Sequence, residues 1–362
     1  MRSLRVIPPG PGVLTELRTA FAGGDAILVG SPSDDLPREV EQRVALVVET
    51  SGSTGRPKRV ALSADAVLAN AVASESALGG PGQWVLALPT HYIAGLNVLA
   101  RSLVAQTAPV TVEGEHFTAA AFLEATAGMT TPERFTALVP AQLATLLDDP
   151  AAASALAGFR RVLIGGQATP PALLERAALA GVMVTRSYGS SETSGGCVYD
   201  GTPIGQTEVR VVDGEVRLGG PTIAEGYLGD PALTAARFVD EAGMRWFRTA
   251  DAGTFEAGRL AITGRLDDVI VSGGVKVSLG AVERLLRENG VEDAVVVRAD
   301  DAKWGEVPVA FTASEALPAS ALAAIEAALG PAARPRMRGG SDIPMLPSGK
   351  PDRVSLAARL NN

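Results

Sequence analysis

Between residues 40 and 200 short apolar runs alternate with helical patterns, and this rhythm restricts the chain to few architectures. Residues 43–49 read as a strand. Residues 63–78 read as a helix with Ser63 as its N-cap, because a serine hydroxyl accepts from an amide of the first turn. Residues 84–88 form a strand ended by Pro89, and 135–139 form another. Pro140 then suits the first turn of a helix over 141–147. A strand at 161–164 runs into Gly165-Gly166 ahead of a helix at 171–179, and a strand at 182–186 meets Ser187-Tyr188-Gly189. This alternation predicts an α/β fold with mostly parallel sheets covered by helices. Ligands of such sheets gather at the carboxyl ends of the strands.

After residue 205 the texture changes. Asp213-Gly214, between apolar runs at 209–212 and 215–218, is a hairpin signal. A second antiparallel patch covers 253–263. Gly264-Arg265-Leu266-Asp267-Asp268 then introduces a different unit, with helices at 279–288 and 319–329 and strands at 293–298 and 307–312. The expected division is a large domain over residues 1–264, β-rich from about 205, and a small α+β domain over 265–362.

The chain has 362 residues, 46% of them hydrophobic, enough for two domains and a large core. A net charge of −8 gives no general attraction to nucleic acid or an anionic membrane. One cysteine, Cys197, excludes an internal disulfide and a cysteine zinc site, and is expected to be a small packed residue. The first residues lack the apolar stretch of a signal peptide, and no apolar run is long enough to span a bilayer. A cytoplasmic protein without membrane insertion is expected.

Four segments carry chemistry. The first is Thr50-Ser51-Gly52-Ser53-Thr54-Gly55-Arg56-Pro57-Lys58, directly after an apolar strand. Glycines let successive amides turn inward around an anion, hydroxyls add short donors, and Lys58 adds a point charge. The same composition also describes a flexible surface loop. The second is Ser187-Tyr188-Gly189-Ser190-Ser191-Glu192-Thr193. Tyr188 offers a face on which a base can stack, and Glu192 offers the single carboxylate that Mg²⁺ bound to phosphates needs. The third is Thr249-Ala250-Asp251 with Gly264-Arg265, where Asp251 can accept both hydroxyls of a ribose. The fourth is Ser348-Gly349-Lys350, which does not complete a P-loop and alone decides nothing.

Taken in order, these segments resemble the AMP-forming adenylating superfamily of acyl-CoA synthetases, luciferases and peptide-synthetase adenylation domains. The resemblance covers roughly residues 40–362. It implies ATP or AMP binding by Thr50, Ser51, Gly52, Ser53, Thr54, Gly55 and Lys58, with Gly165, Gly166, Gln167, Tyr188, Gly189, Ser191, Asp251 and Arg265. It further implies Mg²⁺ on Glu192, a hinge at Asp267, coenzyme A against Gly273 and Gly274, and a catalytic Lys350. Departures are Ser53 and Ser191 for threonines, Arg59 for a glycine, and Ala250 and Ala252 within the Thr-Gly-Asp-Leu pattern. The chain is also shorter than the family before its phosphate loop. It must therefore complete its first sheet with fewer elements or through contacts in a homodimer.

The segment Leu88-Pro89-Thr90-His91-Tyr92-Ile93-Ala94-Gly95-Leu96-Asn97-Val98-Leu99 resembles the acyl-pocket motif of short actinobacterial o-succinylbenzoate–CoA ligases of menaquinone biosynthesis, which implies a catalytic His91 at the pocket. The implied partners are a small carboxylate, ATP and coenzyme A. The implied reaction forms acyl-AMP and then acyl-CoA. Alternatives are another aryl or short acyl carboxylate, a carrier protein as acceptor, or a nucleotide-binding module without catalysis. The distal carboxylate of o-succinylbenzoate needs a cationic or donor group, for which Arg186 and Gln142 are loose candidates.

Overall fold

The computed structural model describes residues 1–50, 58–340, 342–346 and 350–360. The chain divides into two compact units. One comprises Met1–Arg210, Arg217–Arg248 and Glu256–Leu260; the other comprises Val211–Val216, Thr249–Phe255 and Ala261–Asn362.

The first unit begins with β1 (Arg2–Ile7), α1 (Val13–Phe21), β2 (Ala26–Val29), β3 (Glu39–Val40), β4 (Val44–Thr50), β5 (Lys58–Ser63) and α2 (Ala64–Leu78). It continues through β6 (Gln83–Leu86), α3 (Ile93–Val104), β7 (Val110–Thr111), α4 (Ala119–Ala127), β8 (Arg134–Leu138), α5 (Pro140–Asp148) and α6 (Pro150–Ala157). Then come β9 (Arg161–Ile164), α7 (Pro171–Leu179), β10 (Val184–Ser190), β11 (Gly195–Tyr199) and β12 (Thr202–Pro203). The elements β13 (Glu208–Val212), β14 (Glu215–Gly219), β15 (Gly226–Tyr227), α8 (Pro231–Arg237), β16 (Phe238–Glu241), β17 (Met244–Glu256) and β18 (Arg259–Arg265) follow, of which Val211, Val212, Glu215, Val216, Thr249–Phe255 and Ala261–Arg265 belong to the second unit.

The first sheet has the order β15-β5-β4-β2-β1-β3. Strands β1, β2 and β4 run parallel, while β5, β15 and β3 are antiparallel to their neighbours. The first forty residues thus supply β1, β2 and β3 to this sheet. Their signal is short: four buried residues in β2 and alternating exposure along β1. The second sheet has the order β12-β11-β10-β9-β8-β6-β7, parallel from β7 to β10 and antiparallel beyond. Its outer face carries a core of Phe122, Leu138, Leu143, Leu146, Leu156, Phe159 and Ile164 under α4 to α7.

Helix α2 lies between these sheets, touching β4 and β5 of the first and β11 of the second, and α3 packs against β6, β8 and β11 of the second sheet on one side and against α1 and α2 on the other. A helix packed on both sides must be apolar around most of its circumference, and α3 buries an unbroken run from Gly95 to Ser102. Ser63 caps α2 as expected, its hydroxyl accepting from the Ala66 amide at 3.3 Å.

One expectation fails. The strand expected at 182–186 does not end before Tyr188. It continues to Ser190 because β11 pairs with it, Tyr188 opposite Val198, with a bulge between Tyr188 and Gly189. The close pairing needs glycine: a Cβ on Gly189 would come within 2.2 Å of the Gly195 carbonyl oxygen.

In the third sheet, ordered β13-β14-β17-β16 with β18 beside β17, Asp213 and Gly214 both have positive φ, 51° and 79°. That is the type I′ turn their pairing predicts.

The second unit contains β19 (Val269–Ser272), β20 (Val275–Ser278), α9 (Leu279–Glu288), β21 (Val295–Asp301), β22 (Gly305–Phe311), α10 (Ala319–Leu329), β23 (Arg336–Arg338) and α11 (Arg353–Ala358). Its sheet has the order β20-β19-β22-β21, with β23 beside β22. Alternation along β21 explains both faces. Val296 joins Val282, Leu286, Ala321 and Ile325 of α9 and α10 on one side. Val295 and Val297 join Val309, Phe311 and Leu356 of α11 on the other. Leu356, fully buried, anchors the tail helix. Leu356→Ala is expected to lower the stability of this unit by about 2–5 kcal/mol through the lost burial and the cavity left behind, read as a lower urea midpoint. An unchanged midpoint would show that α11 is not packed there.

Candidate functional site

The ends of the candidate phosphate loop are pinned by strand pairing. Thr50 closes β4, Lys58 opens β5, and they face each other as antiparallel partners. Ser51, Gly52, Ser53, Thr54 and Gly55 lie outside the described residues. The Lys58 ammonium stands 5.9 Å from the centre of the Tyr227 ring. Tyr227 comes from β15, which pairs with β5 so that Tyr227 faces Val60.

Glu192 lies in a short 3₁₀ turn, Ser191–Thr193, after β10. Its carbonyl accepts from the Ala224 amide at 2.9 Å, and its Oε1 accepts from the Tyr227 hydroxyl at 2.8 Å. Burial first, then the Glu192 charge, pushes the Tyr227 phenol far above its ordinary value, so it stays a neutral donor. Among the described residues Glu192 Oε2 accepts no hydrogen bond. Nor do three His, Cys, Asp or Glu side chains gather among them into a metal cage. One half-buried carboxylate with an open oxygen fits Mg²⁺, which takes one or two carboxylates and completes its shell with phosphate oxygens and water.

Gly165 and Gly166 follow β9, and Gln167 comes next, half-buried. A Cβ on Gly165 would stand 3.3 Å from the Ser187 carbonyl oxygen, so this segment lies directly against β10 next to half-buried Tyr188. Ser191 is buried. Cys197 is fully buried, and burial pushes its thiol up to about 12, as befits a packed residue.

In the second unit Asp251, Arg265 and Asp267 form one ionic group. Arg265 donates from Nε and Nη2 to the two oxygens of Asp267, each at 2.7 Å, and from Nη1 to Asp251 at 3.1 Å. The hydrogen bond to Asp267 keeps the guanidinium firmly protonated. The Asp251 amide donates to Thr249 Oγ1 at 2.9 Å, and that hydroxyl donates to the Val216 carbonyl at 2.7 Å. Gly273 and Gly274 form the turn between β19 and β20; Gly273 has φ +58°, and a Cβ there would strike the Trp304 ring at 2.4 Å. Lys350 is exposed, its carbonyl accepting from the Leu346 amide at 2.7 Å beside the Met345–Pro351 bridge. Three residues on, Arg353 donates to the Val296 carbonyl at 2.7 Å and to buried Glu283 at 2.6 Å. This fixes the chain just beyond the lysine.

Sequence reading missed two residues of the first unit. Tyr227 gave only an aromatic after Gly226 as a signal. Arg101 was hidden in an apolar helix, yet it is 4% exposed. Its Nε donates to Ser74 Oγ at 2.8 Å and its Nη2 to the Tyr199 hydroxyl at 3.3 Å, above the Trp84 ring. Among the described residues no carboxylate pairs with it. Of the loose candidates, Arg186 pairs with Asp200 at 3.0 Å, and Gln142 donates to the Ala87 carbonyl at 2.8 Å.

His91 precedes α3, its ring 4.1 Å from that of Tyr92. Burial lowers its pKa from 6.5. Folding therefore favours the neutral ring. The stabilisation is present above 6.5 and is lost as pH falls, when the unfolded chain takes up the proton more readily. The urea midpoint is expected to drop more steeply between pH 7.5 and 5.5 in the wild type than in His91→Gln; parallel profiles would mean a fully solvated ring.

The comparisons agree on one lineage. The family model "AMP-binding enzyme" matches residues 13–228. A Mycobacterium tuberculosis protein named probable 2-succinylbenzoate–CoA ligase is 39% identical over 382 aligned residues, covering 99% of this chain and 98% of its own length. The amide bond synthetase McbA of Marinactinospora thermotolerans superposes with a TM-score of 0.76 at 27% identity, over 99% of this chain and 80% of its own. The Bacillus subtilis o-succinylbenzoate CoA synthetase, in complex with its acyl-adenylate intermediate, gives 0.73 at 24% identity over 96% and 81%, a likeness of fold. Among the described residues no helix is long and apolar enough to cross a membrane.

Proposed function

The chain belongs to the AMP-binding enzyme family, and from that premise we propose that it is an ATP-dependent acid–thiol ligase that converts o-succinylbenzoate to o-succinylbenzoyl-CoA in menaquinone biosynthesis. The observation that carries this reading is the likeness to the mycobacterial ligase along essentially the whole chain. The convergence of Lys58, Tyr227 and Glu192 at the stem of the hydroxyl-rich loop supports the nucleotide half of the chemistry.

In the first half-reaction the substrate carboxylate attacks the α-phosphate of ATP, forming a mixed anhydride and releasing pyrophosphate. In the second, the thiol of coenzyme A attacks the acyl carbon, and AMP leaves with the thiol proton passing to solvent. Bound Mg²⁺ would neutralise phosphate charge. Glu192 would hold it, with Thr50, Lys58 and the intervening hydroxyls around the β- and γ-phosphates. Tyr188 would face the adenine, and Asp251, oriented by Arg265, the ribose. Lys350 would meet the charge that accumulates at the α-phosphate. A swing of the small domain about Asp267 would withdraw that lysine and bring Gly273 and Gly274 to the pantetheine.

A second reading has one observation in its favour: the amide bond synthetase likeness suggests an amine as acyl acceptor. An acid panel with ATP, scored by mass with coenzyme A, an amine or a carrier protein as acceptor, tests both. The o-succinylbenzoyl thioester of coenzyme A is expected to dominate. Lys350→Ala is expected to abolish acyl-AMP formation and to spare thioester formation from supplied acyl-AMP; equal loss in both halves rejects its role.

A further inference from the structure

We propose that Tyr227 is the positioning residue for the metal-holding carboxylate: its phenol fixes Glu192 through Oε1 and leaves Oε2 directed to the cation. The inference rests on the proposed metal role of Glu192 and extends it to a side chain outside the four motifs.

Three features of the geometry carry it. Tyr227 is buried, 7% exposed, and its ring packs edge-on against Phe238 at 5.4 Å. Its backbone is held on both sides, by pairing with Val60 and by donation from its amide to Thr234 Oγ1 at 2.9 Å. The hydroxyl therefore reaches Glu192 from a fixed platform. It is also a neutral donor. A cationic partner would neutralise the carboxylate and compete with a bound cation, whereas a phenol orients the group and leaves its charge in place. Finally, Lys58 stands over the same ring. One side chain thus borders both the end of the phosphate loop and the carboxylate, so a nucleotide's phosphates and its cation would be received in register.

A single carboxylate oxygen is a poor director for Mg²⁺, which demands near-octahedral geometry and parts with its waters reluctantly. Partners that orient a metal's ligand are typically worth 10–100-fold in affinity.

The test measures Mn²⁺ bound to the full chain with ATP and no acid substrate, by the loss of the free-ion paramagnetic resonance signal. ATP affinity in a chelator is measured alongside. Tyr227→Phe keeps the ring packing and is expected to weaken Mn²⁺ binding about tenfold, with metal-free ATP affinity unchanged. Glu192→Gln is expected to weaken it further, and the double variant no more than Glu192→Gln alone. Wild-type Mn²⁺ affinity in Tyr227→Phe, beside weakened Glu192→Gln, overturns the positioning role and leaves the metal role of Glu192 standing. Wild-type affinity in Glu192→Gln overturns both. A parallel loss of metal-free ATP affinity in Tyr227→Phe also overturns the proposal, since the phenol would then support the fold of the site at large. Should Tyr227→Phe unfold, Glu192→Asp, a methylene shorter and out of the phenol's reach, is expected to show the same tenfold loss; full affinity there rejects the proposal.

Discussion

The antiparallel pairing of β4, β5 and β15 is the constraint on which the proposed nucleotide site of the first unit depends. A register with Thr50 opposite Lys58 brings the two ends of a glycine- and hydroxyl-rich loop together. The next pairing, Tyr227 opposite Val60, delivers a phenol to the same edge. A slip of one residue in either pair would turn Lys58 or Tyr227 to the opposite face of the sheet. The backbone of Ala224 closes the circuit by donating to the Glu192 carbonyl, so the 3₁₀ turn after β10 is tied to the strand that carries its partner. Three segments distant in sequence are thus fixed by main-chain bonds, and the side-chain contact between Tyr227 and Glu192 follows from them.

In the second unit the comparable device is a buried carboxylate. Glu283, 6% exposed, accepts from the Val296 amide at 2.9 Å and pairs with Arg287 at 2.7 Å and Arg353 at 2.6 Å. A buried charge with one partner removed costs about 3–5 kcal/mol, which makes this group a strict specification of where α9, β21 and α11 meet. Its consequence is local to the tail. Arg353 is anchored three residues after Lys350, and the Leu346 amide and Pro344 carbonyl bracket the lysine from the other side. In the proposed reaction the Lys350 ammonium, on a long, rotamer-rich side chain, would need such a mount, since each freed torsion lowers the fraction of time spent at the reacting phosphate.

What the sequence made legible was local chemistry. The Ser63 cap, Pro140 at a helix start and the Asp213-Gly214 turn each depend on a few adjacent residues, and each stands as expected. The extension of β10 through Tyr188 comes from a partner strand and not from its own composition. Strand β3 depends on a partner in the same way: it has two residues and becomes a strand only beside β1. Tyr227 and Arg101 matter through contacts with residues 35 and 27 positions away. No periodicity announces a contact of that range. Arg101 even breaks the pattern that identifies its helix, and the energetic oddity of a buried cation is visible only once its surroundings are known.

The departures from family pattern have physical answers of the same kind. Arg59 stands where the family has glycine, and it is cross-strand from Glu49, bonded to it at 2.9 Å and to Asp35 at 2.6 Å. A residue that elsewhere offers only backbone freedom here ties the strand pair that flanks the candidate phosphate segment to the 33–36 segment within the first forty residues. Ala250, also in a glycine position, has φ +60°. An alanine in that region is disfavoured by about 1–2 kcal/mol, and it persists because the surroundings hold it. Its amide donates to buried Glu215 at 3.3 Å, and its carbonyl accepts from Leu266 at 2.7 Å. The next residue is Asp251, the carboxylate proposed for the ribose. The strained residue therefore turns the backbone between Thr249 and Asp251, so that the Thr249 hydroxyl accepts from the Asp251 amide while Arg265 grips the side chain. With amide and carboxylate both engaged, the acceptor proposed for the ribose is oriented in advance, which is how a rigid site lowers the entropy cost of binding.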